Sequence, residues 1–489
     1  MQPLSTLLFI DKTTRQAVYL QIATQLTTLI REGTLQAGHR LPSSRQMADW
    51  LNIHRKTVVQ AYDELLAQGW LESRAGSGTF VARQLPEINP QRLSNHIADE
   101  QPARPKGFSF KPVPHLDREV IKPLAPFHLD DGLPDMRLAP LEDLSRAYRG
   151  QLLTGTPYLR LGYGDTTGAL RLRQVLAAYL SETRGLYCSP DNILIVRGSI
   201  MGMYLASTGL LEPGDNVAVG AMNYAGANMN FLQAGARLIT IPVDEHGIVV
   251  DELEQLCRRQ PVRMVYVTSH HHYPTTVALR ADRRVRLLQL AEEYGFIVFE
   301  DDYDYDFHYL GKPLLPLASA DRAGMVLYCG SFTKAVSPVF RVGWLVSTEP
   351  VIRHLAKLRR IIDRQGDFLL ENAIADLLQS GIIQRHLRKS LRAYRQRRDV
   401  FCELLKTRLG NYVQFEPPDG GMAVWTHFDP QVDLEKLSAR ALQNDLYFSD
   451  GRFHHPYSPL PNATRLGFAS SNPAELERCI EIMEQVLKR

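Results

Sequence analysis

Residues 330–344 read "GSFTKAVSPVFRVGW": one lysine, Lys334, on a short polar turn, an arginine, Arg341, seven places on, and an apolar run behind. A solvated lysine needs no such framing, so Lys334 is either ordinary surface or an amine held for chemistry. Its surroundings bear on the choice. The runs "NILIVRG", "NVAVG", "RLITIPV", "RMVYVTS", "FIVFED" and "MVLYCGS" are short and apolar, parted by stretches of helical period. This alternation predicts a mostly parallel sheet covered on both faces, with ligands at the carboxyl ends of its strands. Lys334 is the third residue after the last of these runs. Further on, "RHLAKLRRI" and "LRAYRQRRDVFCELLKTRL" predict long helices, followed by a smaller α+β unit.

An amine that is to form a Schiff base must be deprotonated and held beside an electron sink. If that sink is pyridoxal phosphate, the fold must supply an acid for the pyridine nitrogen, an aromatic for the ring face and a cradle for the phosphate. "FEDDYDYDF" ends an apolar strand, where a carboxylate is costly unless paired with something positive. "VRGSIMGMYLAS" presents a strand, a Gly-Ser turn and a helix start, so backbone amides at Ser199 and Ile200, with the Ser199 hydroxyl, suit an anion. Ser331, Thr333 and Arg341 add hydroxyls and a fixed charge around the same group. Tyr224, in "GAMNYAGAN", follows another strand and is the candidate for stacking on the ring. Each feature is common by itself, and their order and spacing together carry the reading.

The chain has 489 residues, too many for one ordinary core. Composition shifts after residue 82: from Arg83 to Pro126 eight prolines interrupt any apolar period, which predicts an extended, semi-rigid connector. We therefore expect a front domain over 1–82, a linker over 83–126 and a large domain over 127–489. In the front domain, "YLQIATQLTTLIREG" places Ile22, Leu26, Leu29 and Ile30 on one helical face, and Gly33 ends it. "PSSRQMADWL" offers a serine cap and a short helix with Met47, Ala48 and Leu51 inward. "HRKTVVQAYDELLAQG" repeats the stripe with Val58, Ala61, Tyr62, Leu65 and Leu66, closed by Gly69. "WLESRAGSGTFVA" reads as two strands around a Gly-Ser-Gly turn. Three helices and a hairpin make a winged helix-turn-helix.

Positive charge clusters where such a fold meets nucleic acid: Arg40, Arg45, Arg55 and Lys56, then Arg74 in the wing. Ser43, Ser44, Arg45 and Thr57 are phosphate candidates, and His54, Arg55, Lys56 and Gln60 are base-edge candidates. A protein-interaction domain with solvated arginines is the plainer alternative. Composition sets further limits. Apolar residues at 44% and charged residues at 22% are near the averages, so neither wholesale disorder nor a membrane protein is indicated. Five cysteines without a C-x-x-C pair argue against a disulfide framework and a thiolate zinc site. The N-terminus lacks a basic leader and a small-residue cleavage site, so a cytoplasmic location is expected. His270, His271 and His272 are adjacent on a strand end, point apart and are not expected to hold a metal.

"LPSSRQMADWLNIHRKTVVQAYDELLAQGWLESRAGSGTFVA" resembles the GntR family of bacterial transcription regulators, which implies binding to double-stranded operator DNA. From about Asp130 onward, "YLRLGYGDTTGALRLRQVLAAYL", "GSFTKAVSPVFRVGW" and "TRLGFASSNPAELE" resemble the fold-type I (class I) aminotransferases. The two joined through a proline-rich linker resemble the MocR group, to which the GabR- and PdxR-like regulators belong. The fold implied is an α+β winged helix-turn-helix joined to an α/β fold-type I aminotransferase-like domain. By this resemblance Lys334 holds pyridoxal 5'-phosphate as an internal aldimine, Asp301 faces the pyridine nitrogen and Tyr303 the ring hydroxyl. Asp302 is the fallback for Asp301, and a solvated loop suits Asp304 and Asp306 better. The resemblance also gives Arg465 to the carboxylate of an amino-acid ligand, against a plain reading as a surface arginine beside a sheet edge. It has Tyr163 reach the phosphate across a dimer interface.

This sequence departs from the family in places. Ser199, Ile200 and Met201 stand for Ser-Gln-Gln, and in "HHHYPTT" His272 and Thr276 replace a Gln and a Gly. The ring-stacking loop also lacks the nearby arginine that some members have, with Gly226 in that region. These changes leave phosphate binding by backbone intact and bear on ligand choice and turnover. The implied function is a homodimeric transcription regulator. It senses pyridoxal phosphate, or an amino acid or amine joined to it as an aldimine, without needing full transamination. The alternatives are an active aminotransferase and a dimeric repressor that no longer binds the cofactor.

Overall fold

The computed structural model describes residues 4–11, 13–14, 16–85, 108–109, 111–116, 125–156, 161–311, 314–454 and 461–488. The chain divides into two compact units, Met1–Phe110 and Lys111–Arg489. Most of the 83–126 connector lies outside the described residues. Its later part is not simply extended: Pro114–Leu116 forms a single 3-10 turn in the second unit, and His115 Nε2 lies 3.0 Å from Gln233 Oε1.

In the first unit, helices Val18–Arg31, Ser44–Leu51 and Arg55–Ala67 precede the antiparallel hairpin Leu71–Arg74 and Gly78–Val81. The apolar stripes meet as expected: Ile22, Leu26, Ile30, Met47, Val58, Ala61 and Leu65 share one core with Trp70 and Val81. Leu51 and Leu66 are only half-buried at its rim. Ser43 caps the second helix through a reciprocal box, its Oγ accepting from Gln46 N at 3.3 Å while Gln46 Oε1 accepts from Ser43 N at 3.1 Å. Asn52, in left-handed backbone at φ 49°, turns the chain into the third helix.

The second unit is built on a seven-stranded sheet. Its strands run in the order Ile193–Val196, Gly343–Val346, Val326–Ser331, Ile297–Asp302, Met264–Val267, Asn216–Gly220 and Arg237–Ile241. All neighbours are parallel except Gly343–Val346, which is antiparallel to both strands beside it. Strand alternation feeds two cores. Val217, Val219, Met264 and Tyr266 face Met203, Ala206 and Leu355, while Ala218, Val265 and Val267 face Leu253, Leu287 and Leu290. Apolar on both faces, these strands are continuous hydrophobic runs, as a covered parallel sheet requires. After the 28-residue helix Ile382–Leu409 comes a three-stranded antiparallel sheet of Val413–Phe415, Ala423–Phe428 and Ala463–Gly467, closed by Pro473–Leu487. No described helix is long and apolar enough to cross a membrane. Cys257, Cys329 and Cys479 are buried and Cys188 and Cys402 half-buried, all as free thiols.

Candidate functional site

At the carboxyl ends of Ile297–Asp302 and Val326–Ser331 lies a cavity of about 290 Å³. Its wall brings together Ser199, Ile200, Tyr224, Asp301, Tyr303, Ser331, Thr333, Lys334 and Arg341. Lys334 sits on the one-turn helix Phe332–Ala335, where Ser331 Oγ accepts from Thr333 N at 3.0 Å and donates to Thr333 Oγ1 at 2.6 Å. The ammonium is half-buried and donates to Gly132 O at 2.6 Å.

Asp301 and Asp302 are consecutive on one strand and so face opposite ways. Asp301 lines the cavity. Its Oδ2 accepts from the Tyr266 hydroxyl at 2.9 Å, whereas Oδ1 is buried without a hydrogen-bond partner. Burial pushes the Asp301 carboxyl up to about 7. Asp302, the fallback, turns away from the cavity: its Oδ2 accepts from the Tyr328 hydroxyl at 2.6 Å, and His270 and Arg184 lie 3.5 and 4.0 Å off. Burial opposes its charge, yet His270 and Arg184 hold its carboxyl below the usual carboxylate range. The solvated-loop reading of the acidic run is corrected. Asp304 is buried 2.7 Å from His271 Nδ1, and Asp306 pairs with Arg184 at 2.8 Å. Carboxylates this deep persist because each has a partner of its own. In the cavity wall Asp301 Oδ1 lacks a hydrogen-bond partner, as does Asp131 Oδ1, which has the Arg465 guanidinium 3.3 Å away where Asp301 has no cation among the described residues.

The anion cradle is built from backbone. Gly198, at φ 76°, leads into helix Ser199–Leu210 without a side-chain cap, which leaves the first-turn amides for a ligand. Arg341 Nη2 donates to Arg197 O at 2.8 Å and lies so close that a Cβ at Gly198 would sit 2.8 Å from it. Tyr224 begins helix Ala225–Gln233, and a Cβ at Gly226 would fall 2.5 Å from its ring. A side chain at Gly226 would therefore displace this aromatic wall. The Tyr303 hydroxyl donates to His271 O at 2.9 Å.

Arg465 is not a surface residue. It is 1% exposed on strand Ala463–Gly467, its Nη1 donates to Pro274 O at 3.2 Å, and its Nε lies 3.3 Å from Asp131 Oδ1. Tyr163 is exposed and lies under the Arg364 guanidinium at 4.2 Å, and it does not line this cavity. The three histidines lie beyond the strand end, not on it. They are buried with separate partners, His270 at Leu314 O, His271 at Asp304 and His272 at Thr275 Oγ1. Among the described residues no three His, Cys, Asp or Glu side chains gather to hold a metal. Asp131, Leu133, Tyr266, Thr268 and Tyr273 complete the wall and were missed from sequence. Tyr266 and Thr268 were legible, since they alternate at the end of "RMVYVTS" as Asp301 does on its own strand. Asp131 and Tyr273 arrive on loops and carry no such signal.

In the first unit Arg40, Ser43, Arg45, His54, Arg55, Lys56 and Gln60 are exposed, and Ser44, Thr57 and Arg74 half-exposed. Several are already engaged. His54 Nδ1 accepts from Lys56 N at 3.1 Å and so caps the third helix, and Arg55 Nε donates to Ser44 Oγ at 3.2 Å. Arg74 pairs with Glu72 at 2.5 Å and covers the Phe80 ring, so the wing presents less net charge than its arginine suggests.

Residues 140–483 match the model of aminotransferase class I and II, and residues 18–81 that of the bacterial regulatory proteins of the gntR family. The chain is 31% identical to the "probable rhizopine catabolism regulatory protein MocR" of Rhizobium meliloti, over 97% of this chain and 94% of that protein. It is 30% identical to the pyridoxine biosynthesis transcriptional regulator PdxR of Corynebacterium glutamicum, over 86% of each. Among solved structures it resembles a Pyrococcus horikoshii kynurenine aminotransferase, 29% identical with a TM-score of 0.69, over 74% of this chain and 90% of that one. Enzymes of that class depend on pyridoxal phosphate. The winged helix implies DNA binding, and the chain belongs to the MocR-type regulators of the GntR family, a GntR DNA-binding region joined to an aminotransferase class I and II domain.

Proposed function

We propose that this regulator binds pyridoxal phosphate on Lys334 and changes its grip on operator DNA when the cofactor, or an amine engaged by it, changes the second unit. The observation that carries the reading is the unpartnered Asp301 Oδ1 in the wall that also holds Lys334. A protonated pyridine nitrogen is the partner that such a carboxylate lacks. When bound, the cofactor supplies an aldehyde and an electron sink. The chain supplies the rest. The amides after Gly198, with Ser199, Ser331, Thr333 and Arg341, suit the phosphate; Tyr224 suits the ring face; Tyr303 suits the ring hydroxyl. Gly132 O positions Lys334 Nζ, and Asp301 would pair with a protonated ring nitrogen.

In this reading the protein works as a cytoplasmic homodimer, with Tyr163 completing the site of its partner. Two winged helices then meet paired half-sites, with Arg55, Lys56 and Gln60 toward base edges and Ser43, Ser44, Arg45 and Thr57 toward phosphates. Turnover is not required. The test is to soak purified protein in the cofactor, record the visible band, reduce with borohydride and locate the adduct by mass. The expected adduct is on Lys334 and absent from Lys334→Ala. Colourless protein without an adduct refutes the reading.

A further inference from the structure

One part of the cavity wall fits poorly with a ligand that carries a carboxylate. Arg465, suited to bind one, is buried and does not line the cavity. Asp131 does line it, and its carboxylate stands as the counter-charge of that guanidinium, Oδ1 at 3.3 Å from Arg465 Nε, an ion pair without a hydrogen bond between the two atoms. The Tyr273 hydroxyl donates to the other oxygen, Oδ2, at 2.7 Å and fixes the pose. The next residue along, Gly132, accepts from Lys334 at 2.6 Å. Two consecutive residues therefore touch both cations, Asp131 through its side chain the arginine and Gly132 through its carbonyl the lysine. The side chain of Asp131 is 29% exposed, so a ligand meets a carboxylate there and not a guanidinium. The other cations in the wall, Lys334 and Arg341, are already assigned to the cofactor in the reading above.

We propose that Asp131 sets the ligand class of this cavity: it occupies the anion slot of Arg465 itself, so the site takes amines whose far end is cationic, α,ω-diamines first, and disfavours amino acids. A ligand carboxylate would have to expel Asp131 from Arg465 or lie beside a like charge, and both cost affinity. A distal ammonium instead finds a fixed carboxylate partner. The proposal rests on the reading that the cavity holds pyridoxal phosphate.

The test uses full-length, cofactor-loaded protein titrated with 1,4-diaminobutane and 4-aminobutanoate, equal in length and different only at the far end. The visible band and the melting temperature are read on the same samples. The diamine is expected to half-saturate at a concentration at least tenfold lower, and Asp131→Asn to reduce that ratio below threefold. Tyr273→Phe, which keeps the charge but frees it, is expected to give an intermediate ratio and covers the case of a misfolded Asp131→Asn. A wild-type ratio under tenfold, or one unchanged in both variants, overturns the proposal. Absence of any visible band overturns the cofactor reading and this one with it, and is distinguished from failure of the proposal alone, in which the band forms but the ratio does not depend on Asp131.

Discussion

The two units place their charged residues in opposite ways. In the first, Arg45, Arg55 and Lys56 stand exposed on a small apolar core, solvated and paired at most with a neighbouring hydroxyl. In the second, Asp301, Arg465 and Asp302 are almost wholly buried, each carboxylate or guanidinium placed against named partners. Exposed charge is cheap to keep and is screened by salt, whereas buried charge is costly, escapes screening and titrates far from its usual range. The contrast predicts a surface sensitive to ionic strength and a cavity sensitive to pH.

The largest effect that would break this contrast concerns salt. Between 50 and 200 mM salt, operator affinity measured by fluorescence anisotropy is expected to fall by about a hundredfold or more, while cofactor affinity changes by less than about threefold. Similar slopes for both would refute the division. Next, Asp301→Asn, which offers the pyridine nitrogen no charge, is expected to weaken cofactor binding by about a hundredfold in absorbance titrations. The same variant sharpens the pH side. Asp301, with its carboxyl raised from 3.8 to about 7, binds its proton more tightly in the folded state. The folded chain without cofactor therefore loses stability from this group as pH rises from about 4 to about 7. The asparagine amide does not titrate, so the variant should gain on the wild type across that window, by at most about 4 kcal/mol in denaturant melts.

Smaller effects follow. In the proposed docking, Arg55→Ala is expected to cost operator affinity about tenfold and to relax base preference, whereas Arg45→Ala, at a proposed phosphate position, is expected mainly to lower the salt slope by about one. Thr276 is β-branched yet held at φ 65°, where the family carries glycine. Thr276→Gly should stabilise the fold by about 1 kcal/mol, read as a higher melting temperature.

The same contrast governs what the sequence disclosed. Helical stripes and a Gly-Ser-Gly wing marked the first unit because a surface fold repeats its period openly. The strands, and the lysine, tyrosine and aspartate at their ends, were equally legible because alternation assigns a face to each residue. Tyr266 and Thr268 carried that alternation and were passed over, whereas Asp131 on one turn and Tyr273 on another carried no signal and meet only once the chain has folded. The acidic run misled for a related reason. Its pairing groups, His271 and Arg184, lie some 33 and 122 residues away from Asp304 and Asp306, beyond any local pattern.

His115, near the end of the proline-rich stretch, meets Gln233 on the last turn of the helix whose first turn follows Tyr224. Nine residues of helix span about 13 Å. The 3-10 turn at His115 is thus moored to a short rod whose other end stands beside Tyr224 in the cavity wall, so a tilt of that rod would shift the mooring.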